Sequence, residues 1–501
     1  MSGDGYEFHA DLAQNYMVES SNYMQFVDIE RINSTQDKQL YVFDPAAMHS
    51  ILVKNEPIYN MPDAFIAANH LMFGPCLVST SGAQHRRARK IMNPVFSPTR
   101  LKEILPIIYK IAHEMSASIS ERLPSGKTAE LDMLKILGTT ALGVYRSSRI
   151  GVLLCCGAIR CIGRDETAFY LRQKRMIVPM QLLPFLLRTT PAAFRRWMIN
   201  FVPMSDLHLA RDLVDVMDNN SRQILAKKTE AIAKGDAAVM EQVGQGKDIM
   251  SLLMRASDDT TQEDRLSEEE FLGQMNVIIF AGTDTTSTAV SRALQELAIH
   301  PEIQDQLREE VTKAAVHGDL DYDTLCSLPL LEAVSPGNHF EPSSASVPLT
   351  MTAFFSLTRM YVQLRLKDAV LPLERPMVGL DQTPITEIFV PAGTIVHIGI
   401  KAANTNCAIW GPDAREWKPS RWLAHRCRKP SWTHKFQASI LDWCIGFKFA
   451  EMSMKVLLAV LIKDFVFALS DKKIVWKLGQ AEAPSVGDKQ MLPMMVSSVR
   501  S

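Results

Sequence analysis

Residues 267–301 read SEEEFLGQMNVIIFAGTDTTSTAVSRALQELAIHP, and their pattern predicts one long helix. Ser267, followed three residues later by Glu270, forms a capping box at the start, and Pro301 ends the helix. A helix of about 34 residues is about 50 Å long. We therefore expect it to cross a whole domain.

The middle of this helix contains a run of polar residues, Ala281–Ser287 (AGTDTTS), which we name the polar notch. Glycine inside a helix costs about 1 kcal/mol relative to alanine. Ser, Thr and Asp side chains compete for backbone hydrogen bonds and tend to bend a helix. Because packing alone does not require these residues in a buried helix, we predict that the notch marks a ligand site. The alternative is a helix kink whose hydroxyls bond to carbonyls one turn back.

The composition is that of a large globular protein without a strong charge. The chain has 501 residues, of which 47% are hydrophobic, so it can bury a sizeable core. Its formal net charge of −1 leaves no basic field for a nucleic acid, and we predict no nucleic-acid partner. Its 8 cysteines include no Cys-x-x-Cys pair, which favours a reducing compartment over a disulfide framework.

Hydropathy predicts no transmembrane segment. Met1–Glu7 is polar and acidic, unlike a signal peptide or a membrane anchor. The internal apolar runs, such as 150–162 and 456–462, are shorter than the roughly 20 residues that span a bilayer. We expect a protein that is soluble or makes only peripheral membrane contact. Residues 191–197 (PAAFRRW) belong either to a membrane-facing access lid or to an ordinary surface helix.

Apolar periodicity predicts a largely helical body. The helical pattern covers most of residues 62–316 and returns over 447–465. Because no long linker interrupts the chain, we predict a single domain over residues 1–501. Two stretches, 144–164 and 335–353, are atypical of this pattern.

A small β portion completes the predicted fold. Residues 39–43 alternate like a strand, and residues 386–400 predict a β-hairpin around the turn Pro391–Gly393. Since these segments lie far apart in the chain, we expect the β portion to be built from both ends. The predicted class is therefore mainly α with a small β portion.

Cys444 is the cysteine best suited to chemistry. It precedes Gly446 and a helix that begins near Phe447, so its sulfur is predicted to lie at a helix N-terminus. Free N–H groups and the helix dipole stabilise a thiolate there, and a glycine lets a flat ligand approach the backbone closely. A thiolate is an axial ligand of haem iron that favours O–O cleavage. The alternative is a buried structural cysteine.

Asp284 and Thr285 are the reactive pair within the polar notch. An acid and a hydroxyl at adjacent positions can hold water and relay protons to a bound oxygen species. The spacing of four potential zinc ligands, His425, Cys427, His434 and Cys444, matches no compact zinc module, and we predict no zinc site there.

In this order and spacing, three segments resemble motifs of the cytochrome P450 haem-thiolate monooxygenases, in a style closest to fungal members. They are AGTDTT at 281–286, EWKPSRW at 416–422 and Cys-Ile-Gly at 444–446. Residues 85–89 (HRRAR) resemble the Trp-x-x-x-Arg helix of that family, with His85 at the Trp position and Arg89 at the Arg position. The resemblance covers roughly residues 35–470 and implies the cytochrome P450-like fold.

The resemblance also implies a role for each matching position. Cys444 would ligate the iron, while Asp284 and Thr285 would deliver protons for O–O scission. Ala281 and Gly282 would open the groove over the haem. Arg89 and His85 would neutralise a haem propionate. These residues, together with Gly446, are the predicted site.

The same resemblance implies haem b as cofactor and O2 as co-substrate. It implies electrons from an NADPH-cytochrome P450 reductase and a small apolar substrate, which is a terpenoid, another secondary metabolite or a xenobiotic. It places the protein at the endoplasmic reticulum membrane surface. The lack of an anchor in the sequence keeps the cytoplasm as the alternative.

The sequence also departs from the family pattern in two places. Where a Glu-x-x-Arg helix is expected, Arg359 follows Ser356, and the second match, Arg365, also lacks the acid. Where the haem loop has Phe, Gly and Arg, the chain has Gln437, Ile440 and Asp442. These departures favour a second function, an impaired or inactive family member that binds haem or an apolar ligand without turnover. A third alternative is an unrelated helical interaction protein.

Overall fold

The computed structural model shows a helical body with several small sheets. It describes residues 24–27, 39–55, 58–61, 63–123, 128–146, 185–203, 205–234, 249–258, 265–335, 361–365, 367–378, 383–399, 403, 406–407, 411–414, 416–423, 444–478 and 482–499. The helices are α1 Pro45–His49, α2 Asp63–Phe73, α3 Gly82–Met92, α4 Pro98–Ser120, α5 Met133–Arg146, α6 Ala192–Ile199, α7 Ser205–Lys234, α8 Ile249–Asp258, α9 Glu268–Ile299, α10 Pro301–Ala314, α11 Tyr322–Ser327, α12 Pro329–Val334, α13 Ser420–Leu423 and α14 Phe447–Asp464. Helices make up most of the described residues, which confirms the predicted mainly α class.

The strands form four small sheets among the described residues. They are β1 Met24–Val27, β2 Gln39–Val42, β3 Tyr59–Asn60, β4 Ala129–Asp132, β5 Tyr361–Arg365, β6 Ala369–Val378, β7 Pro384–Val390, β8 Ile395–Ile398, β9 Phe465–Leu469, β10 Val475–Leu478, β11 Glu482–Val486, β12 Lys489–Gln490 and β13 Pro493–Ser498. The largest sheet has the order β1-β2-β8-β5-β3, and the others are β10-β11-β12, β4-β13-β9 and β6-β7. The small β portion is thus built from both ends of the chain, as predicted.

The predicted β-hairpin over residues 386–400 is wrong. Both strands form, and the turn closes with a 3.3 Å hydrogen bond from the Thr394 amide to the Pro391 carbonyl. However, β7 pairs with β6, whereas β8 pairs in parallel with β2 and antiparallel with β5. Val390 of β7 lies in the same core as Val396 and Ile398 of β8, so both strands contribute to this core without pairing with each other. Alternation identified the strands but could not choose their partners.

Helix α9 is the central element of the body. Ser267 caps it: the Ser267 hydroxyl accepts from the Glu270 amide at 3.2 Å, and the Glu270 carboxylate accepts from the Ser267 amide at 2.9 Å. It runs for 32 residues to Ile299, and Pro301 begins the next helix. Helices α5, α7 and α14 and strands β9 and β11 all pack against it. Both predicted ends are confirmed, and the helix continues without a break across the polar notch.

The turn after α2 lies directly on α9 at Gly273. A Cβ atom at position 273 would lie 2.5 Å from the carbonyl oxygen of Pro75 and 3.2 Å from that of Phe73. Gly74, with a φ of +84°, makes the turn that brings this backbone onto the helix. The Asn276 amide then donates to the Phe73 carbonyl at 3.3 Å. Only a glycine allows this approach.

The C-terminal helix α14 is almost entirely buried. Fifteen of the sixteen residues from Phe447 to Ile462 are buried by neighbouring elements, and the exception is the exposed Lys448. Its C-terminal end is held by Arg308 of α10, whose guanidinium donates to the carbonyls of Ile462 at 2.9 Å and Phe465 at 3.2 Å. The predicted helix over 447–465 is confirmed. Among the described residues, no helix is both long enough and apolar enough to cross a membrane.

The contact at Gly273 gives a first test of the fold. Gly273→Ala is expected to lower the free energy of unfolding by about 1–3 kcal/mol, because the added methyl group forces the Phe73–Cys76 backbone away from α9. The measurement is denaturant unfolding followed by circular dichroism.

Gly138 of α5 supplies the matched control, because a Cβ there would meet no atom within 4 Å. Gly138→Ala should be neutral or stabilise by up to about 1 kcal/mol, the helix propensity of alanine over glycine. Equal effects of the two substitutions would contradict the close approach at Gly273.

Candidate functional site

Cys444 lies immediately before α14, as predicted. Gly446 is the N-cap of this helix, and its carbonyl accepts from the Ala450 amide at 2.9 Å. The Phe447 amide donates to the Cys444 carbonyl at 3.1 Å, which closes a tight turn around the cysteine. The turn directs the Gly446 N–H to the Cys444 sulfur. The first amides of α14 therefore hold the thiol at a helix N-terminus.

Arg89 of α3 lies near the Cys444 thiol. Burial raises the pKa of the Cys444 thiol above its ordinary value, while the hydrogen bond from Gly446 and the positive charge of Arg89 act in the opposite direction. Both opposing effects favour the thiolate, which is the form of cysteine that binds metals. Arg89, which is 355 residues earlier in the chain (444 − 89), thus lies close enough to Cys444 for its charge to act on the thiol.

His85 lies one turn before Arg89 on α3. Its Nδ1 atom is 3.0 Å from the Leu77 carbonyl oxygen, so the ring is oriented by the backbone of the preceding turn. The tautomer that donates from Nδ1 satisfies this contact. The structure therefore gives His85 a backbone partner, and its role toward a propionate stays a prediction.

Helix α3 is itself tied to the start of α9. The Arg87 guanidinium and the Gln84 amide both donate to the Glu270 carboxylate, the latter at 3.0 Å. Glu270 is also the acid of the α9 capping box. One carboxylate thereby sets the position of α3, which carries His85 and Arg89, against the helix that carries the polar notch.

Three of the four hydroxyls of the polar notch bond within the helix, whereas the buried Thr286 hydroxyl has no partner among the described residues. Thr283 donates to the Ile279 carbonyl and Thr285 to the Ala281 carbonyl, each at 2.7 Å. Ser287 donates to the Thr283 carbonyl at 2.9 Å. These are the bonds that the alternative interpretation of the notch predicted, and they occur without a break in the helix.

The notch nevertheless has an open side. Ala281 is exposed, although Val277 one turn earlier and Thr285 one turn later are buried. Gly282 is buried beside it. Position 284 is helical, and the Asp284 side chain lies outside the described residues. The predicted groove at Ala281 and the predicted hydroxyl at Thr285 therefore share one face of α9.

An apolar cluster adjoins the notch. Phe280 of α9 and Phe73 of α2 are in contact, with ring centroids 5.1 Å apart. Cys76 and Val277 are buried in the same cluster, and Met72 of α2 and Met217 of α7 pack against it. Three elements thus place apolar and adaptable side chains beside Ala281.

The departures from the family pattern fall mainly outside the described residues. Ser356, Arg359, Gln437, Ile440 and Asp442 are among the residues that the structure does not describe. One candidate can be corrected: Arg365 lies in strand β5, paired with β3 and β8, and therefore cannot belong to a Glu-x-x-Arg helix. Arg421 lies in the short helix α13.

Sequence reasoning missed a buried ion pair that holds α14. The Lys455 ammonium, fully buried, donates to Glu451 at 2.7 Å and also to Glu332 of α12. Burial lowers the pKa of Lys455, but the carboxylates of Glu451 and Glu332 outweigh it and raise this pKa above its ordinary value. The available signal was a Glu–Lys pair four residues apart inside an otherwise apolar helix.

A mainly helical fold, with a cysteine at the N-terminus of a buried helix and a polar notch in a long central helix, is the architecture of a cytochrome P450. The family described as Cytochrome P450 matches residues 9–335 and 363–483. The chain belongs to this family. Family membership implies a haem cofactor, a redox partner, O2 and an organic substrate.

Curated fungal proteins are similar to this chain over nearly their whole length. Cytochrome P450 monooxygenase 81 of Postia placenta is 38% identical, covering 97% of this chain and 86% of the relative. Cytochrome P450 monooxygenase 91 of the same fungus is also 38% identical, covering 93% and 86%. Ganoderic acid synthetase of Ganoderma lucidum is 34% identical, covering 93% and 85%. The predicted family is thereby confirmed.

The family match leaves a gap that coincides with an atypical stretch. Residues 336–362 are unmatched, and they include most of the predicted atypical stretch 335–353. The other atypical stretch, 144–164, lies inside the first matched segment. The departure near Ser356 is therefore a local replacement between two matched segments.

The described residues fit a haem with a thiolate ligand. The donor is a cysteine sulfur that accepts a backbone N–H, and a guanidinium lies close enough to act on its charge. A soft thiolate ligand suits haem iron, and a guanidinium suits a propionate carboxylate. Cys444 would hold the iron, and Arg89 would hold a propionate.

The ion pair at Lys455 gives a test of how the site is held. Lys455→Met is expected to lower the free energy of unfolding by about 3–5 kcal/mol, because two carboxylates lose their shared buried cation. Without this cation, the buried Glu451 carboxylate binds a proton more tightly in the folded state than in the unfolded state. Stability of the variant should therefore fall as pH rises from 5 to 8, as measured by thermal unfolding at each pH.

Lys313 provides the control, since it pairs with Glu309 at the same spacing but on the surface. Lys313→Met should change the free energy of unfolding by only about 0.3–0.5 kcal/mol. Similar losses in the two variants, or no pH dependence in Lys455→Met, would show that the buried pair does not hold α14.

Proposed function

We propose that this protein is a haem-thiolate monooxygenase that inserts one oxygen atom from O2 into an apolar organic substrate. The observation that carries the proposal is the position of Cys444: its sulfur meets the Gly446 amide at the start of α14, with Arg89 nearby. Bound haem b supplies oxygen activation and C–H oxidation. The predicted single domain over residues 1–501 is part of this proposal.

Four residues of the chain have distinct roles in holding the haem. Cys444 ligates the iron through its thiolate, and Gly446 donates a hydrogen bond to the sulfur while leaving space for the ring. Arg89 pairs with a propionate, and His85, held by Leu77, adds a polar partner beside it. Each of these contacts orients the haem relative to α9.

The polar notch provides room for the ligand and groups for proton transfer. Ala281 is exposed and Gly282 has no side chain, so the two residues would leave room for the haem and substrate beside α9. The Thr285 hydroxyl donates to the Ala281 carbonyl, so its oxygen is free to accept a hydrogen bond from water at this face. Asp284, the adjacent acid, supplies the proton that Thr285 and its water pass on.

The proposed substrate is a small apolar molecule such as a terpenoid, another secondary metabolite or a xenobiotic. The cluster of Phe73, Phe280, Met72 and Met217 beside Ala281 offers aromatic and flexible apolar contacts for such a molecule. One similar protein is named ganoderic acid synthetase, which supports secondary metabolism. The proposed electron donor is an NADPH-cytochrome P450 reductase.

We place the protein at the endoplasmic reticulum membrane surface, in peripheral contact. Helix α6 and the turn after it expose four large apolar side chains within eight residues: Phe194, Trp197, Met198 and Phe201. The Trp197 and Phe201 rings lie 4.7 Å apart, centroid to centroid, so they form one patch. A contiguous exposed aromatic patch is suited to the bilayer interface.

A second function is favoured by the unmatched residues 336–362. This segment stands where the Glu-x-x-Arg helix belongs, and Asp442 replaces a positive residue of the haem loop. A negative charge near a thiolate and a propionate disfavours both. The alternative is an impaired member of the family that binds haem or an apolar ligand without turnover.

Carbon monoxide difference spectroscopy tests the iron ligand. The reduced protein with carbon monoxide should show the red-shifted Soret band of thiolate ligation, and Cys444→Ala should lose it completely. Cys407→Ala, at an exposed cysteine, is the control and should keep the band. Absence of haem from the purified, folded protein would defeat the proposal, and a haem spectrum without turnover would favour the impaired member.

Vesicle sedimentation tests the membrane contact. The double substitution Trp197→Ser and Phe201→Ser should reduce binding to phosphatidylcholine–phosphatidylserine vesicles by at least tenfold, because two buried aromatic contacts are lost. Phe389→Ser, at a residue that is 60% exposed on β7, is the control and should leave binding unchanged. Equal binding of all three proteins would remove α6 from the membrane contact.

A further inference from the structure

Two hydroxyls of α9 beyond the polar notch are buried without a partner. Thr288 is 1% exposed and Ser291 is fully buried. Within the described part of the chain, neither Thr288 Oγ1 nor Ser291 Oγ has a hydrogen-bond partner. Thr285 and Ser287, by contrast, bond to carbonyls one turn back. A buried hydroxyl without a partner costs about 1–3 kcal/mol, so it calls for an explanation.

These hydroxyls continue a line that begins at the notch. Thr285, Thr288, Ser291 and Gln295 follow one another at intervals of three, three and four residues. Residues at such intervals are neighbours on a helix surface, with Cβ atoms about 5–6 Å apart. Neighbouring hydroxyls at this spacing can be bridged by one water molecule.

The outer end of the line reaches partly exposed residues. Gln295 is half-buried, and its side-chain oxygen accepts from Trp476 Nε1 of β10 at 2.5 Å. The Arg292 guanidinium lies over the Trp476 ring, 4.9 Å from its centroid. Gln295 and Arg292, which also pairs with Glu296 at 2.8 Å, are both partly exposed, so this end of the line lies nearer to solvent than Ser291 does.

We propose that Thr288 and Ser291 hold internal water molecules that form a proton path from Gln295 to Thr285. The path rests on the proposed role of Thr285 in proton delivery. Internal waters make about three hydrogen bonds each to otherwise unsatisfied polar groups, and two orphaned hydroxyls in one row supply such partners. Asp284 directly precedes Thr285 on α9. The path therefore supplies protons to the reactive pair of the notch, Asp284 and Thr285.

The transfer along this path is balanced at every step. Each hydroxyl oxygen accepts a proton from the water on its outer side and releases its own proton to the water on its inner side. The O–H bonds break and form in pairs, so no hydroxyl keeps a charge. Solvent beside Gln295 supplies one proton for each one that Thr285 passes on, and no electron moves.

Stability of single variants tests whether the hydroxyls hold water. Thr288→Val and Ser291→Ala should each lower the melting temperature, because a water-bridged hydrogen bond is lost. If the hydroxyls are dry and unpaired, both variants should instead raise the melting temperature, since an apolar group replaces an orphaned polar one. A rise in both would overturn the proposal.

The chain offers matched controls for these variants. Thr140 of α5 and Ser453 of α14 are buried helical hydroxyls that donate to carbonyls one turn back, at 2.9 and 2.8 Å. Thr140→Val and Ser453→Ala give the loss in melting temperature expected for a bonded hydroxyl. A crystal structure of the parent at high resolution should show a water between Thr288 Oγ1 and Ser291 Oγ, and a dry gap would overturn the proposal.

Proton supply is measured separately in the haem-loaded enzyme. Thr288→Val and Ser291→Ala should raise the fraction of electrons released as hydrogen peroxide several-fold and increase the solvent deuterium isotope effect on turnover. Thr288→Ser and Ser291→Thr should restore both values, and the two control variants should not change them. If the variants leave both the hydrogen peroxide fraction and the isotope effect unchanged, the path is refuted. If the protein lacks haem, the proposed function is refuted, but the melting-temperature and crystallographic tests of the bound water can still be made.

Discussion

The structure depends on burying a polar segment of α9 without leaving its hydrogen-bonding groups unsatisfied. The hydroxyls of Thr283, Thr285 and Ser287 meet this requirement inside the helix, because each reaches a carbonyl one turn back. The helix can therefore keep its regular backbone through the notch and still present Ala281 on an open face. Within the described residues, the buried hydroxyls of Thr286, Thr288 and Ser291 do not meet the requirement, and the proposed internal water would satisfy the last two.

Two ionic contacts position the helices around α9. Glu270 joins the capping box of α9 to Arg87 and Gln84 of α3, so the helix that carries Arg89 is set by the same carboxylate that starts α9. On the other side, Lys455 joins α14 to Glu332 of α12 from a fully buried position. Because a buried charge without its partner is costly, these contacts allow little freedom to the helices that present Cys444 and Arg89.

Local signals in the sequence predicted the elements of the site well. The capping box and Pro301 located both ends of α9, and the Cys-x-Gly sequence located the start of α14, because caps and stops depend on neighbouring residues. The β-hairpin was wrong, since β7 pairs with β6, the strand before it, whereas β8 pairs with β2 near the start of the chain. The contact of Lys455 with Glu332 was missed for a similar reason, since Glu332 lies on another helix, although the spacing of Glu451 and Lys455 was a local signal. Pairing between distant segments leaves no local signal.

The sequence by itself determined which helices form and which chemical groups they carry. It also determined the family, because several motifs occur together in order, and the whole-length similarity to fungal relatives agrees. Only the tertiary structure decided which groups meet: Arg89 with Cys444, Phe73 with Phe280, and Glu332 with Lys455. The physical reason is that helix formation follows from local propensity and capping, whereas burial and charge pairing depend on which distant surfaces pack together.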